Sequence, residues 1–360
     1  DVYKRQGHTS TLYVTEPQIE AARRLAEIAP GNLNRSFFSN SGTEAIDTAI
    51  MLACIHTGRS EVIALRSGYH GRSTLATNLT GLSSWRPLAS SLPNIKHAVA
   101  PYPYRCKFDA NCEDQCAEKC AQDLEEVILT TTNGKPAAFL AETIQGAGGF
   151  VAPPPGYHQR AAEIIRGFGG VLIIDEVQAG FGRTGRWFGI EHWGVVPDIM
   201  VMAKGIAGGM PVGATITTDE IAASWTSKTI STFGGNPLCM AAMAETLAVM
   251  VEEDVPGNAT ARGLQLEAGL KALAGEFNWI GDVRGMGLMR AIELVTDRET
   301  KEPDAARTTA FMEETKAAGL LVGKAGLRDN VIRFGPSLLV TEQEVEVCLD
   351  RVREACKRVN

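Results

Sequence analysis

Three stretches of this chain put charged or reactive side chains where regular structure would present them to a ligand. The first is Ser39-Asn40-Ser41-Gly42-Thr43-Glu44, a strand running into a Ser-Gly-Thr turn and then a helix. Ser41 and Glu44 have capping-box spacing, and the free N–H groups of a helix start, with its macrodipole, suit a phosphate. A plain helix cap accounts for the same residues when they are taken alone. The second is Val171-Leu172-Ile173-Ile174-Asp175-Glu176-Val177-Gln178, with an acid at the end of an apolar strand. Open α/β sheets bind ligands at such ends, and a carboxylate there needs a cation or a metal. A Walker-type magnesium site is excluded, because the chain has no G-x-x-x-x-G-K-[ST] loop. The third is Met200-Val201-Met202-Ala203-Lys204 followed by Gly205. A lysine ending a buried strand would lose solvation, so its free amine would be available to attack a carbonyl. The rival reading is a snorkelling strand-end lysine.

Weaker signals accompany these. Gly68-Tyr69-His70-Gly71-Arg72 places an aromatic ring and an imidazole in a Gly-flanked turn. Ser231-Thr232-Phe233-Gly234-Gly235-Asn236-Pro237 is a hydroxyl- and glycine-rich loop before a helix. Arg333 sits in a short strand-like run, suited to gripping a carboxylate with its planar fork. Cys106, Cys112, Cys116 and Cys120 cluster in a polar insert. A helix over 112–120 would place three of these thiols on one face at i, i+4 and i+8. Structural zinc sites use tighter pairs, so reduced thiols in a plain loop, a disulfide and a metal all stay open.

Strand-like runs at 35–40, 61–66, 95–100, 137–142, 171–177, 199–204 and 212–218 must position these groups. Most are continuously apolar, as expected of strands covered on both faces. Helical patterns at 43–57 and 156–168 alternate with them, which predicts an α/β domain with a mostly parallel seven-stranded sheet. A long helix over 237–253 ends at the Pro256-Gly257 pair. Helical patterns at 261–274, 308–318 and 341–359 follow, mixed with short strands at 287–294 and 331–334, as in a smaller α+β domain. The expected division is a remnant N-terminal segment at 1–34, a large domain at 35–257 and a small C-terminal domain at 258–360.

Composition narrows the setting. A chain of 360 residues, 44% hydrophobic and 21% charged, has the balance of a globular protein. The net charge of -7 disfavours nucleic acid or an anionic membrane as partner. No apolar run is long enough to span a bilayer and no signal peptide is recognisable, so a cytoplasmic location is expected. Cys54, Cys239, Cys348 and Cys356 stand alone, as reduced core thiols do. The start, Asp1 to Gln6, lacks an initiator Met and any periodicity, which suggests that a native N-terminal segment is missing.

Taken together, the segments at 39–44, 69–72, 142–146, 175–185, 197–209 and 232–237, in that order, resemble the class III (subgroup II) aminotransferases of pyridoxal-phosphate fold type I. The resemblance runs from Thr9 to the C-terminus, and Asp-Glu-Val-Gln-x-Gly-Phe-Gly-Arg-x-Gly followed by Pro-Asp-x5-Lys is its most specific part. It implies pyridoxal 5'-phosphate as cofactor, held as a Schiff base on Lys204, with Lys204 also moving the α-proton. It implies that Asp175 keeps the pyridine nitrogen protonated, that Gln178 bonds the phenolic oxygen, and that Tyr69 stacks on the ring. Ser41, Gly42 and Thr43 would hold the phosphate, Thr232 would reach it from a neighbouring subunit, and His70 and Glu142 would complete the pocket. Arg333 would bind the substrate carboxylate. Shared sites imply a homodimer.

Departures from the family's pattern sharpen the expectation. Ile46 stands where the family usually has Asn, and Ala147 where relatives acting on ω-amines have a glutamate that covers the arginine. With Ala147, Arg333 should stay open to an α-carboxylate. The details most resemble the alanine–glyoxylate aminotransferase 2 branch, implying ping-pong transfer through the pyridoxamine form from alanine or a β-amino acid to glyoxylate or pyruvate. Gly281-Asp282-Val283-Arg284-Gly285 and Thr300-Lys301-Glu302-Pro303 also look like 2,2-dialkylglycine decarboxylases, which makes a decarboxylating transaminase the alternative. An eliminating phospho-lyase and a non-catalytic relative of the fold are the remaining readings.

Overall fold

The computed structural model describes residues 8–10, 12–87, 91–109 and 113–360; the hexapeptide 1–6 and Cys112 lie outside them. The chain divides into two compact units. The larger comprises the chain as far as Thr143, Pro153–Phe181 and Trp187–Glu253; the smaller comprises Ile144–Ala152, Gly182–Arg186 and Asp254–Asn360.

In the larger unit all seven expected strands form, each trimmed by at most two residues at either end. They are β1 (Arg35–Ser39), β2 (Val62–Leu65), β3 (Ile95–Ala98), β4 (Ala138–Glu142), β5 (Val171–Asp175), β6 (Ile199–Met202) and β7 (Gly213–Thr217). Their order is β1-β7-β6-β5-β4-β2-β3. Strands β2 to β6 are parallel, and β7 runs antiparallel to both its neighbours. Strands β2 and β4 to β7 are buried at every residue. That is why their sequences read as unbroken apolar runs rather than alternating ones. The helices are α1 (Glu16–Ile28), α2 (Gly42–Thr57), α3 (Thr74–Leu79), α4 (Glu113–Thr131), α5 (Tyr157–Gly167), α6 (Asp219–Ala223) and α7 (Pro237–Glu252). Ile46, Ala49 and Leu52 of α2 pack with Val62, Leu140, Ile173 and Val201 in one core. Ile46, where the family has a polar residue, is therefore a core contact. The N-terminal segment, given no element by its sequence, forms α1, which packs along α7.

The smaller unit contains α8 (Val255–Glu276), β8 (Ile280–Met286), β9 (Met289–Leu294), α9 (Ala305–Ala317), β10 (Gly323–Ala325), β11 (Val331–Phe334) and α10 (Glu342–Val359). Its antiparallel sheet has the order β10-β11-β9-β8. Leu266, Leu270, Ile292, Phe311, Ile332 and Val352 form its core. The Pro256-Gly257 pair does not punctuate the end of a helix, as its sequence suggested. Asp254, at φ 44°, caps a new helix by accepting from the Gly257 N–H, and Pro256 lies in the first turn. Proline is tolerated there because first-turn N–H groups have no intrahelical partner.

Candidate active site

Parallel strands deliver their C-terminal ends to one edge of the sheet, and the sequence-predicted cofactor groups of the larger unit other than Thr232 meet there. Glu142 and Asp175 are the last residues of β4 and β5 and lie directly opposite each other in the parallel register. Lys204 follows the end of β6 by two residues. A cleft of about 330 Å³ at this edge is lined by Ser41, Gly42, Thr43, Tyr69, His70, Glu142, Asp175, Gln178 and Lys204. Asn40, Val177, Met210, Pro211 and Val212 also line it, and no residue-type signal singled them out.

The start of α2 forms one wall. Ser41 Oγ accepts from the Glu44 N–H at 3.2 Å, a cap worth about 1 kcal/mol. The return half of the box is shifted: Glu44 Oε2 accepts from the Asn40 N–H at 2.7 Å, one residue earlier than a capping box would have it. Glycine relieves crowding at one place around this wall and is required at another. A Cβ on Gly42 would lie 3.2 Å from both methyl groups of Val177. Gly71 has φ +128°, and a Cβ there would come within 2.4 Å of Thr43 Oγ1. Small residues thus keep the helix start open to a bulky anion.

Asp175 is buried, 5% exposed, at the floor of the cleft. Its Oδ1 accepts from the Val177 N–H at 3.0 Å, and its Oδ2 lies 2.8 Å from His70 Nδ1. The sequence supplied both residues but nothing in it signalled this pairing. His70 is itself held by its N–H donating to Thr80 Oγ1 at 3.1 Å. His70 Nε2 is buried and has no hydrogen-bond partner among the described residues. The Tyr69 N–H donates to Glu142 Oε1 at 2.9 Å, which fixes the Tyr69 ring, and Trp85 packs edge-on against that ring with centroids 5.2 Å apart.

Lys204 departs from its sequence reading. The strand ends at Met202, so the lysine is not the last residue of a buried strand; it is exposed and opens a short 3-10 turn, Lys204–Ala207. Its φ is +50°, a left-handed conformation costing on the order of 1 kcal/mol in a residue with a side chain.

Glu176, the residue after β5, does not line the cleft. It is fully buried and accepts from Thr143 Oγ1 at 2.5 Å and from the Gly189 and Ile190 N–H groups at 3.0 and 2.8 Å. Burial outweighs these donors and pushes its pKa up from 4.5 to about 7. The Asp-Glu dipeptide was visible in the sequence, but the partners that separate its two carboxylates, His70 for Asp175 and Thr143, Gly189 and Ile190 for Glu176, are not local in sequence.

Two predicted residues do not line this cleft. Thr232 is exposed on the loop between α6 and α7. Arg333 belongs to the smaller unit, on β11, where its Nη1 donates to the Gly146 carbonyl at 3.2 Å and its guanidinium stands 5.3 Å from the centre of the Phe150 ring. Ala147 offers no carboxylate, and its carbonyl accepts from the Gly326 N–H at 3.1 Å.

The donor set suits one cofactor: a helix start for a phosphate, a buried carboxylate for a ring nitrogen, an aromatic face and a lysine amine, all on one sheet edge. Such a cleft on a mostly parallel seven-stranded sheet, in a chain that also carries a smaller α+β unit, defines a fold type I pyridoxal-phosphate transaminase. The family profile described as aminotransferase class-III matches residues 2–356, and the chain belongs to that family. It is 40% identical over 348 residues to alanine–glyoxylate aminotransferase 2 homolog 2, mitochondrial, of Arabidopsis thaliana, covering 96% of this chain and 72% of that one. Alanine–glyoxylate aminotransferase 2, mitochondrial, of Pongo abelii is 36% identical over 372 residues, covering 98% and 72%. Among solved structures, a PLP-bound amine transaminase from an uncultivated Pseudomonas species superposes with a TM-score of 0.94 at 32% identity, over 99% of this chain and 85% of that one.

Proposed function

We propose that this transaminase takes its amino group from alanine or a β-amino acid and passes it, in a ping-pong reaction, to glyoxylate or pyruvate. The observation that carries the assignment of roles is the convergence of the α2 start, Asp175 and Lys204 on one cleft. Bound pyridoxal phosphate would supply an electron sink for the charge left at the substrate α-carbon when its proton departs. Gly42 and Thr43 would meet the phosphate through the helix start, with Ser41 flanking them. Asp175 would hold a proton on the ring nitrogen, and His70, by donating from Nδ1, would keep that carboxylate oriented. Tyr69 would cover one face of the ring, and Gln178 would donate to its phenolic oxygen. Lys204 would anchor the cofactor through Nζ and take and return the proton at the substrate α-carbon. Arg333 would bind the substrate carboxylate, with Ala147 leaving it uncovered.

The working form would be a homodimer in which Thr232 serves the partner's cleft. Ile230, Phe233 and Leu238, around that loop, are exposed apolar side chains of the sort subunit contacts cover. Among the described residues no helix is long and apolar enough to cross a membrane. Among the described residues seven cysteines stand as thiols, which suits a reducing compartment; cytoplasm is the reading of the sequence, and the names of two relatives place those proteins in mitochondria.

The test is a half-reaction. Protein loaded with pyridoxal phosphate is given alanine without acceptor, and pyruvate is measured against loaded sites. About one equivalent of pyruvate with loss of the visible cofactor band supports the reading. Carbon dioxide from 2-aminoisobutyrate in place of pyruvate from alanine would replace it with the decarboxylating alternative. No visible band at any cofactor concentration would overturn the role given to Lys204.

A further inference from the structure

The cysteine insert contributes nothing to the cleft, yet the chain folds it into a compact cluster. After β3 the chain makes a short turn over Pro103–Arg105 and reaches Cys106. Cys116 and Cys120 lie one turn apart on α4 and are both fully buried. The sulfur atoms of Cys106, Cys116 and Cys120 all lie within 4.8 Å of one another. Several bonds hold this loop to α4. Asp123 accepts from the Val99 N–H at 2.6 Å, Lys119 Nζ donates to the Phe108 carbonyl at 3.3 Å, and Cys120 Sγ approaches the Ala100 carbonyl at 3.9 Å.

A second observation points at the same place. Tyr157, the first residue of α5, is completely buried, and its hydroxyl has no hydrogen-bond partner among the described residues. Helix α5 packs on α4, and Cys120, Asp123 and Cys116 are close enough to act on this hydroxyl electrostatically. A buried phenol donor without an acceptor costs free energy, on the order of 1–3 kcal/mol. Three neutral thiols are poor acceptors; thiolates gathered on a cation are good ones.

We propose that Cys106, Cys116 and Cys120 form a thiolate site for a thiophilic divalent cation of the zinc type, with Tyr157 donating a hydrogen bond to one of the bound sulfurs. A tetrahedral ion with metal–sulfur bonds of about 2.3 Å sets its sulfurs about 3.8 Å apart. Side-chain rotation by less than about 1 Å at each sulfur closes the observed triangle to that size. On binding, each thiol releases its proton to solvent as its metal–sulfur bond forms, and water takes the fourth position. A disulfide would use two of the three sulfurs and leave Tyr157 unserved. The site would staple the loop after β3, an edge strand of the large sheet, to the first turns of α4.

The experiment uses the cofactor-loaded enzyme expressed with added zinc, dialysed, and assayed for metal by mass spectrometry. About one zinc per chain is expected. Cobalt(II) in its place should give the visible bands of a tetrahedral centre and a near-ultraviolet sulfur-to-metal band. Cys106→Ser, at the half-buried position, should weaken zinc binding by at least about tenfold while the chain stays folded. Tyr157→Phe should weaken it by up to about tenfold. Cys54→Ser, in α2 and remote in sequence from the cluster, should bind as the parent does. A folded parent protein holding less than about a tenth of an equivalent, unchanged affinity in Cys106→Ser, or a disulfide among the three cysteines in protein handled under reductant would each overturn the site.

Discussion

The two sheets of this chain bury charge in opposite ways. At the C-terminal edge of the parallel sheet, Asp175 is buried with a histidine as partner, and its cleft also holds a lysine and a helix start. In the smaller unit Arg290, Glu293 and Asn330 are equally deep and Arg284 is partly buried, but their partners are groups of that unit. Arg284 Nη1 lies 2.8 Å from both Asp282 and Glu293, Arg290 lies 2.8 Å from Glu267, and Asn330 donates to Glu293 at 3.2 Å. The difference teaches where to look for chemistry. A buried charge whose partners leave room for a ligand is available to a substrate, whereas one whose bonds are complete holds the fold.

The largest expected effect tests the first half of that contrast. Lys204→Ala should fold normally, because Lys204 is exposed and contributes no core packing. Its turnover should fall by at least about 10⁴-fold, as when a group acting directly on the reacting atoms is lost. Steady-state transamination and the cofactor band should disappear together. Turnover within tenfold of the parent would remove Lys204 from the chemistry and the contrast with it.

The same contrast explains what the sequence made legible. Strands β2 and β4 to β7 were readable because both faces are covered, so each is a largely apolar block. Tyr69, Asp175 and Lys204 were readable because each ends or follows such a block, and Ser41 because it has the spacing of a helix cap. Strands β8 and β10 were not. β8 is half-exposed along most of its length and β10 spans only three residues, so neither carries a clean period. The His70–Asp175 bond joins residues 105 positions apart, and no local pattern encodes it. The stretch 281–285, read as a sign of a decarboxylase, has an architectural explanation. Arg284 is the ion-pair hub of the small sheet, and Gly285, at φ +112°, has no room for a Cβ, which would lie 1.9 Å from the Met289 carbonyl.

Arg284→Ala tests the second half. Its guanidinium also donates from Nε to the Gly149 carbonyl at 2.8 Å, so the change strands Asp282, Glu293 and that carbonyl at once. Losing one partner of a buried ion pair costs about 3–5 kcal/mol. Urea unfolding followed by tryptophan fluorescence should show a loss of that size. A midpoint unchanged from the parent would mean that these charges are solvated, and that the small sheet does not hold its charges as complete pairs.

Glu176 belongs to neither class and yields the smallest effect. Its three donors favour the carboxylate, but burial wins, and its pKa rises from 4.5 in the unfolded chain to about 7. The folded state therefore binds the proton more tightly than the unfolded state. Its contribution to stability is complete below about pH 4.5 and is lost as pH rises through about 7. Between about pH 5 and pH 8 the parent should lose roughly 1–3 kcal/mol that a Glu176→Gln chain does not lose. The glutamine amide will clash with the Gly189 N–H that now donates to Oε2, so the variant starts less stable, but that offset is independent of pH. The quantity to measure is thus the difference between the two proteins at each pH. A gap that narrows as pH rises would make Glu176 a buried acid held neutral by the fold. A constant gap would mean that the three donors win, and that Glu176 is a saturated structural carboxylate like those of the small sheet.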